Sequence, residues 1–183
     1  MWGTVGRLSH VTTIDFEASC LPSFGKSYPI EVGLCDVEDG RAWSWLIRPT
    51  AEWLDWGWDA QSQEKHGISR EKLMQEGTDA AMVFELVAEL GVQARVMSDS
   101  DLDQVWLDTL AAAAGQERPF LIENIRDLYD QVTPIGPLLG WSDVREAEAV
   151  AHRRFPTVHR AGDDAQRLAE TIRQLRAAEP EFD

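Results

Sequence analysis

The apolar and polar positions at the start of the chain follow a period of two. Val11 to Phe16 is short, apolar and rich in β-branched residues, which predicts a buried strand. Leu21 to Ser27 carries the Pro, Gly and Ser of a loop, and Pro29 to Val37 predicts a second strand. Arg41 to Ile47 alternates as a third, with Trp43 and Trp45 on one face and Ala42, Ser44 and Leu46 on the other. Glu38-Asp39-Gly40 joins the last two strands, and Asp-Gly is a hairpin signal. The three strands therefore predict an antiparallel meander.

Beyond Pro49 the period lengthens. Trp53, Trp56 and Trp58 fall in an irregular or short helical stretch, and Ser69 suits the start of a short helix. Thr78 is the expected cap of a longer helix, in which Met82, Val83, Leu86, Val87 and Leu90 form one apolar stripe and which Gly91 closes. Ala94 to Met97 and Pro119 to Ile122 predict a fourth and a fifth strand, with a helix from Leu102 to Ala114 between them. Helices are expected over Asn124 to Val132, Ser142 to Arg154 and Gly162 to Ala178. The order predicts an α/β domain with a mixed five-stranded sheet and helices on its faces.

A length of 183 residues suits one domain, with its core at about 11–178, and 44% apolar residues can fill a core. No apolar run approaches the roughly 18 residues that span a bilayer. Met1 to His10 lacks the charged start and apolar stretch of a signal peptide. Cys20 and Cys35 have no CxxC spacing, so a reducing cytoplasm is the expected compartment.

The formal net charge is −15, from 17 basic and 32 acidic side chains. Such acidity argues against wrapping long duplex DNA, which needs many cations to neutralise phosphates. It leaves room for gripping a strand end if bound cations reverse the local field.

The acids fall in a telling pattern. Asp15 and Glu17 are two apart on the first strand, so their side chains share a face. Two carboxylates there repel each other unless a cation lies between them, and magnesium or manganese takes oxygen ligands. Asp103 opens a helix after a strand, which suits either a helix cap or a ligand at a strand's C-terminal edge. The run Asp99 to Asp103 opens like a calcium loop. Gln104 and Leu110 stand where such a loop needs Gly and Glu. His159 and Asp164 span a loop-to-helix junction, where an imidazole can act as a base near neutral pH.

Taken in the order Asp-x-Glu, Asp, His-x4-Asp, these residues resemble the DEDDh 3′–5′ exonucleases. That group includes oligoribonuclease, RNase T and the proofreading subunit of bacterial replicative polymerase. Pro29-Ile30-Glu31-Val32-Gly33 is similar to the strand that follows the first acidic motif. His66-Gly67-Ile68-Ser69 is similar to the group's His-Gly-Ile-Thr/Ser segment, and Ser98 to Asp103 to its second motif. The likeness runs from about Val11 to Leu175, and His159 places it in the histidine branch. Ser98, Asp99 and Leu102 depart from the usual His-Asn opening and from the Phe before the motif's Asp. Asp163 rivals Asp164, which matches the group's spacing from His159.

The resemblance implies a ribonuclease H-like fold and two divalent cations, Mg2+ or Mn2+. Asp15, Glu17 and Asp164 would hold the ion that carries the attacking water, Asp15 would bridge to the second ion, and Asp103 would support the cluster. His159 would take the water's proton. The outcome would be hydrolysis of the terminal phosphodiester of a single-stranded nucleic acid or short oligonucleotide, releasing a nucleoside 5′-monophosphate. Ala18, Leu21, Phe24 and His66 are the candidate contacts of the 3′ nucleotide, and Arg153, Arg154 and Arg160 are candidate phosphate contacts. A homodimer is compatible with the group. Two other functions compete: a catalytically silent nucleic-acid-binding or interaction module on the same fold, and a protein whose acids only stabilise it. The choice between DNA and RNA stays open, because no residue declares how a 2′-hydroxyl is met.

Overall fold

In a computed structural model, residues 10–127, 140–156 and 159–178 are described. Strands β1 (Val11–Ala18), β2 (Pro29–Asp36) and β3 (Ala42–Arg48) form the expected antiparallel meander. Its hairpin closes as the Asp-Gly signal requires: Gly40 has φ 76°, and Asp36 Oδ1 accepts the Glu38 and Asp39 N–H groups at 2.7 and 3.1 Å. Strands β5 (Arg95–Ser98) and β6 (Ile122–Asn124) extend the sheet in parallel on the far side of β1. With β4 (Thr78–Asp79), the sheet has six strands among the described residues rather than five, in the order β4-β3-β2-β1-β5-β6.

The extra strand, β4, is only Thr78–Asp79, paired in parallel with Ile47 and Arg48. Two residues leave no alternation to detect. Asp79, not Thr78, then caps the helix that follows: its Oδ1 accepts the Ala81 N–H at 3.0 Å. The fifth strand begins at Ile122, three residues later than the sequence suggests. The helix expected over Asn124 to Val132 falls for the most part outside the described residues.

The helices are α1 (Ala60–His66), α2 (Arg70–Glu76), α3 (Ala80–Gly91), α4 (Leu102–Ala113), α5 (Trp141–Arg154) and α6 (Ala161–Ala178). Two apolar clusters sandwich the sheet. One holds Ile14, Phe16 and Ala18 of β1 with residues of α3 and α4, and with Tyr28 stacked on Trp53 at 5.4 Å between ring centres. The other holds Val11, Cys35 and Met97 with Val144 of α5 and Ala165, Leu168 and Ile172 of α6. Trp53 is thus core rather than a base-stacking platform. With helices on both faces, every residue of β2 is buried. Among the described residues, no helix is long and apolar enough to cross a membrane.

These clusters fix the faces of β1. Even-numbered Ile14, Phe16 and Ala18 point toward α3 and α4, so odd-numbered Val11, Thr13, Asp15 and Glu17 point toward α6. Thr13 confirms this, since its hydroxyl donates to the Ala165 carbonyl of α6 at 2.7 Å.

Candidate active site

The final turn of β1 carries Asp15 and Glu17 side by side on the face that α6 covers. Opposite them on β2, the register places Gly33 across from Asp15 and Glu31 across from Glu17. Residues directly opposite in an antiparallel pair share a face, so both act on the same space.

Gly33 makes the site buildable. A Cβ there would lie 2.2 Å from the Ala161 carbonyl carbon and 2.3 Å from the Gly162 nitrogen. Only a glycine lets the start of α6 rest directly on β2, next to Asp15. Glu31 fastens that contact. It is 1% exposed, its Oε1 accepts from Arg160 Nη2 at 2.6 Å, and its Oε2 accepts from Arg160 Nε at 2.9 Å and from the Ala161 N–H at 3.1 Å. Ser44 Oγ of β3 donates to Oε1 at 3.1 Å.

The neighbours of this clamp are two of the other candidate site residues. His159 precedes Arg160 and adopts φ 50°, a conformation that a non-glycine residue rarely takes. Asp164, in the first turn of α6, is buried, and Arg167 Nη1 lies 2.6 Å from its Oδ1. Glu17, His159 and Asp164 each offer a donor atom within 4.8 Å of the other two.

Asp103 reaches the cluster from the start of α4. It is 1% exposed and is held by the last residue of β5, since Ser98 Oγ donates to its Oδ2. Asp103 Oδ1 is buried with no hydrogen bond of ordinary geometry. Asp101, not Asp103, stands at the helix N-cap, and its side chain makes no bond to the helix N–H groups.

The electrostatics follow from crowding. Burial raises the Asp15 pKa well above the ordinary carboxylate range, and the charges of Asp103, Glu17, Asp164 and Asp99 raise it further. Burial is also the main cause for Glu17, pushed up to about 7, with Asp164 and Glu31 adding and Arg160 opposing. Asp103 is pushed up to about 8 by burial, against the pull of the Ser98 hydroxyl. Burial raises Asp164 as well, with Arg167 acting the other way.

Asp15 feels the charges of the other three, and Glu17 acts on Asp103 and is acted on by Asp164, so Asp15 and Glu17 link the cluster. A set of four raised carboxylates is the donor set of a hard divalent cation. The residues present fit such ions.

The expected substrate contacts are placed less uniformly. The Ala18 side chain belongs to the core, which leaves its backbone for a ligand. Leu21 and Phe24 are 45% and 70% exposed around the short 3-10 turn Pro22–Phe24 that follows β1. His66 ends α1 and is buried; its Nδ1 accepts the Ile68 N–H at 3.0 Å, so Nε2 carries the proton. That Nε2 has no hydrogen-bond partner among the described residues. The His66 pKa falls to about 4, mainly through burial, with Glu31 opposing and Arg160 and His159 adding.

Two of the expected phosphate contacts are otherwise engaged. Arg160 is committed to Glu31, and Arg154 Nη1 lies 3.1 Å from Glu170 Oε1. Glu31 was the residue hardest to find from sequence. Its signal was a charge inside an apolar strand, which requires a partner.

No protein-family model and no curated protein sequence matches the chain. Solved structures do. A 3′-exonuclease described as recognising the 3′ end of a histone mRNA stem-loop aligns with a TM-score of 0.64 at 18% identity, over 93% of this chain and 83% of that one. Exonuclease I of E. coli, in complex with a dT13 oligonucleotide, aligns with a TM-score of 0.66 at 11% identity, over 91% of this chain. Exonuclease I of Methylocaldum szegediense gives 0.63 at 15% identity, over 92% of this chain. The chain spans 40% of the length of each of those two exonuclease I chains. The ribonuclease H-like fold of this chain is therefore the fold of the 3′-exonuclease and exonuclease I structures, the group to which its acidic motifs bear their resemblance.

Proposed function

We propose that the chain is a metal-dependent 3′–5′ exonuclease, residues 1–183 forming one exonuclease domain. In this reading it hydrolyses the terminal phosphodiester of single-stranded nucleic acid or short oligonucleotides and releases nucleoside 5′-monophosphates. The supporting observation is the meeting of Asp15, Glu17, Asp103 and Asp164, from three distant segments, with His159 beside them.

Asp15, Glu17 and Asp164 would hold the divalent cations, Mg2+ or Mn2+, with Asp103 completing the set. When bound, such ions neutralise the carboxylates and the phosphate and stabilise charge on the attacking and leaving oxygens. His159 takes the proton of the attacking water on a ring nitrogen. It is exposed, so a strand end can reach it. The clamp of Glu31 and Arg160 holds the adjoining backbone, so the base is presented at a fixed place. The backbone after Glu17, at Ala18, and the exposed Leu21 and Phe24 would receive the terminal sugar and base. His66 remains neutral near pH 7, and its unpartnered Nε2–H would donate to the terminal nucleotide.

The test is to incubate end-labelled single-stranded DNA and RNA with magnesium or manganese, wild type beside His159→Ala. Stepwise shortening from the 3′ end by the wild type, lost in the variant and in excess EDTA, is expected. Full activity in excess EDTA, or no shortening of either polymer, overturns the proposal.

A further inference from the structure

A cavity of about 440 Å³ opens where the end of β6, α5 and α6 meet. Its polar lining includes Arg126, His152, Arg167 and Asp99, and Ile125 and Leu168 supply apolar wall. Two of these residues tie it to the carboxylate cluster. Arg167 is ion-paired with Asp164, and the charge of Asp99 raises the pKa values of Asp15, Asp103 and Asp164. The cavity therefore adjoins the candidate active site along its Asp99 and Asp164 edge.

Two side chains of its lining, Arg126 and His152, are not consumed by structure. Arg126 is placed through its backbone, whose N–H donates to Asn124 Oδ1 at 2.9 Å, while Asn124 Nδ2 donates to Asp101 Oδ1 at 2.7 Å. Neither the Arg126 guanidinium nor the His152 ring has a hydrogen-bond or ion-pair partner among the described residues. In a chain of net charge −15, two free cationic or donor groups facing one cavity are a local exception. Glu148 and Asp99 also stand on the lining, so the cavity is no general anion trap. What it offers is a planar guanidinium and an imidazole at one place, a pairing suited to phosphate oxygens. Its volume suits a nucleotide-sized fragment.

We infer that this cavity is a subsite for the phosphodiester next to the one being cut, on its 5′ side, with Arg126 and His152 as its ligands. The assignment rests on the exonuclease reading: a strand whose terminal phosphodiester lies at the carboxylates must run on past one edge of the cluster. The cavity is an edge that presents a guanidinium with no hydrogen-bond or ion-pair partner among the described residues, that of Arg126.

The test compares substrates that differ only in whether that phosphate exists. The p-nitrophenyl esters of thymidine and uridine 5′-monophosphates, and dinucleotides, carry one phosphodiester; deoxy- and ribotrinucleotides carry two. The Arg126→Ala/His152→Ala variant should lose about 10-fold or more in kcat/KM on trinucleotides, mostly through KM, and stay within about twofold on the others. Arg126→Lys should recover part of the loss. Anisotropy of a labelled trinucleotide in a His159→Ala background should show a salt slope shallower by about 0.7 when Arg126 is removed. Equal losses on all substrates, or none on any, together with an unchanged slope, overturn the subsite. If the wild type cuts none of the substrates the exonuclease reading falls, and the salt slope still decides whether Arg126 meets a phosphate.

Discussion

Arg160 and Glu31 are joined by two near-parallel bonds, Nη2 to Oε1 at 2.6 Å and Nε to Oε2 at 2.9 Å, across 129 positions of sequence. Glu31 sits directly across the sheet from Glu17. Like charges at such positions repel, and Arg160 eases part of that conflict while tying the backbone next to His159 to β2. The Glu31→Gln variant keeps one oxygen, enough for the Ala161 N–H, but loses the charge and the second acceptor. It should cost about 1–3 kcal/mol of stability, read by urea unfolding, and lower the exonuclease rate about 10- to 100-fold. An unchanged rate in a destabilised protein would separate the clamp from the chemistry.

Gly33→Ala tests the same contact from the other side. The new Cβ meets backbone atoms of Ala161 and Gly162 at 2.2 to 2.3 Å, and backbone cannot swing away. Overpacking of this kind costs about 1–3 kcal/mol. The start of α6 must lift, carrying Asp164 and His159 with it. A melting temperature lowered by several degrees, together with weaker protection by manganese, is the expected result; an alanine accepted with neither change would mean that α6 does not rest on β2 in solution.

Much of this was legible in the chain. β1 shows because its apolar run is buried, and its period of two already places Asp15 and Glu17 on one face. The hairpin shows because Asp39-Gly40 can do little else. β4 does not show, since two residues cannot display a period, and Thr78 and Asp79 are equally good caps until the sheet decides. Asp103 is ambiguous in sequence because an acid at a helix start is ordinary. Only the Ser98 contact and the common burial with Asp15 reveal what it faces. Glu31 and Gly33 escape because their purpose lies in the register with β1 and in the approach of α6, which no local pattern encodes.

His159→Ala should lower kcat by about 10²- to 10⁴-fold, the usual contribution of a general base. The residue is exposed, so thermal stability should move little, as for most surface substitutions. A pH profile that keeps its acidic limb in the variant would assign the base elsewhere.

The raised carboxylates predict how the ion-free protein responds to pH. Glu17 titrates near 7 and Asp103 near 8, against ordinary values of 4.5 and 3.8. Below the ordinary values both groups are protonated, folded or unfolded, and no stability is lost. As pH rises from there to about 8, the unfolded chain releases protons that the folded chain retains, so these groups favour folding progressively less. Bound cations cancel the repulsion. Manganese at about 100 times its dissociation constant should raise the melting temperature by roughly 5–10 °C at pH 8, and by much less at pH 5. Equal shifts at the two pH values would mean that manganese binds somewhere other than these carboxylates.

Asp15→Asn separates an ion site from acids that merely hold the fold together. Asp15 faces the charges of Asp103, Glu17, Asp164 and Asp99, and burial compounds the conflict. If Asp15 existed to stabilise the fold, removing its charge would lower the melting temperature. If it exists to hold cations, the ion-free protein carries that repulsion as a cost, and the neutral, nearly isosteric amide relieves it. The variant should therefore melt higher than wild type in EDTA at pH 8, gain little from manganese and show no exonuclease activity. A variant that melts lower than wild type in EDTA and still responds fully to manganese would point to a structural role for Asp15 and remove the central ligand of the proposed site.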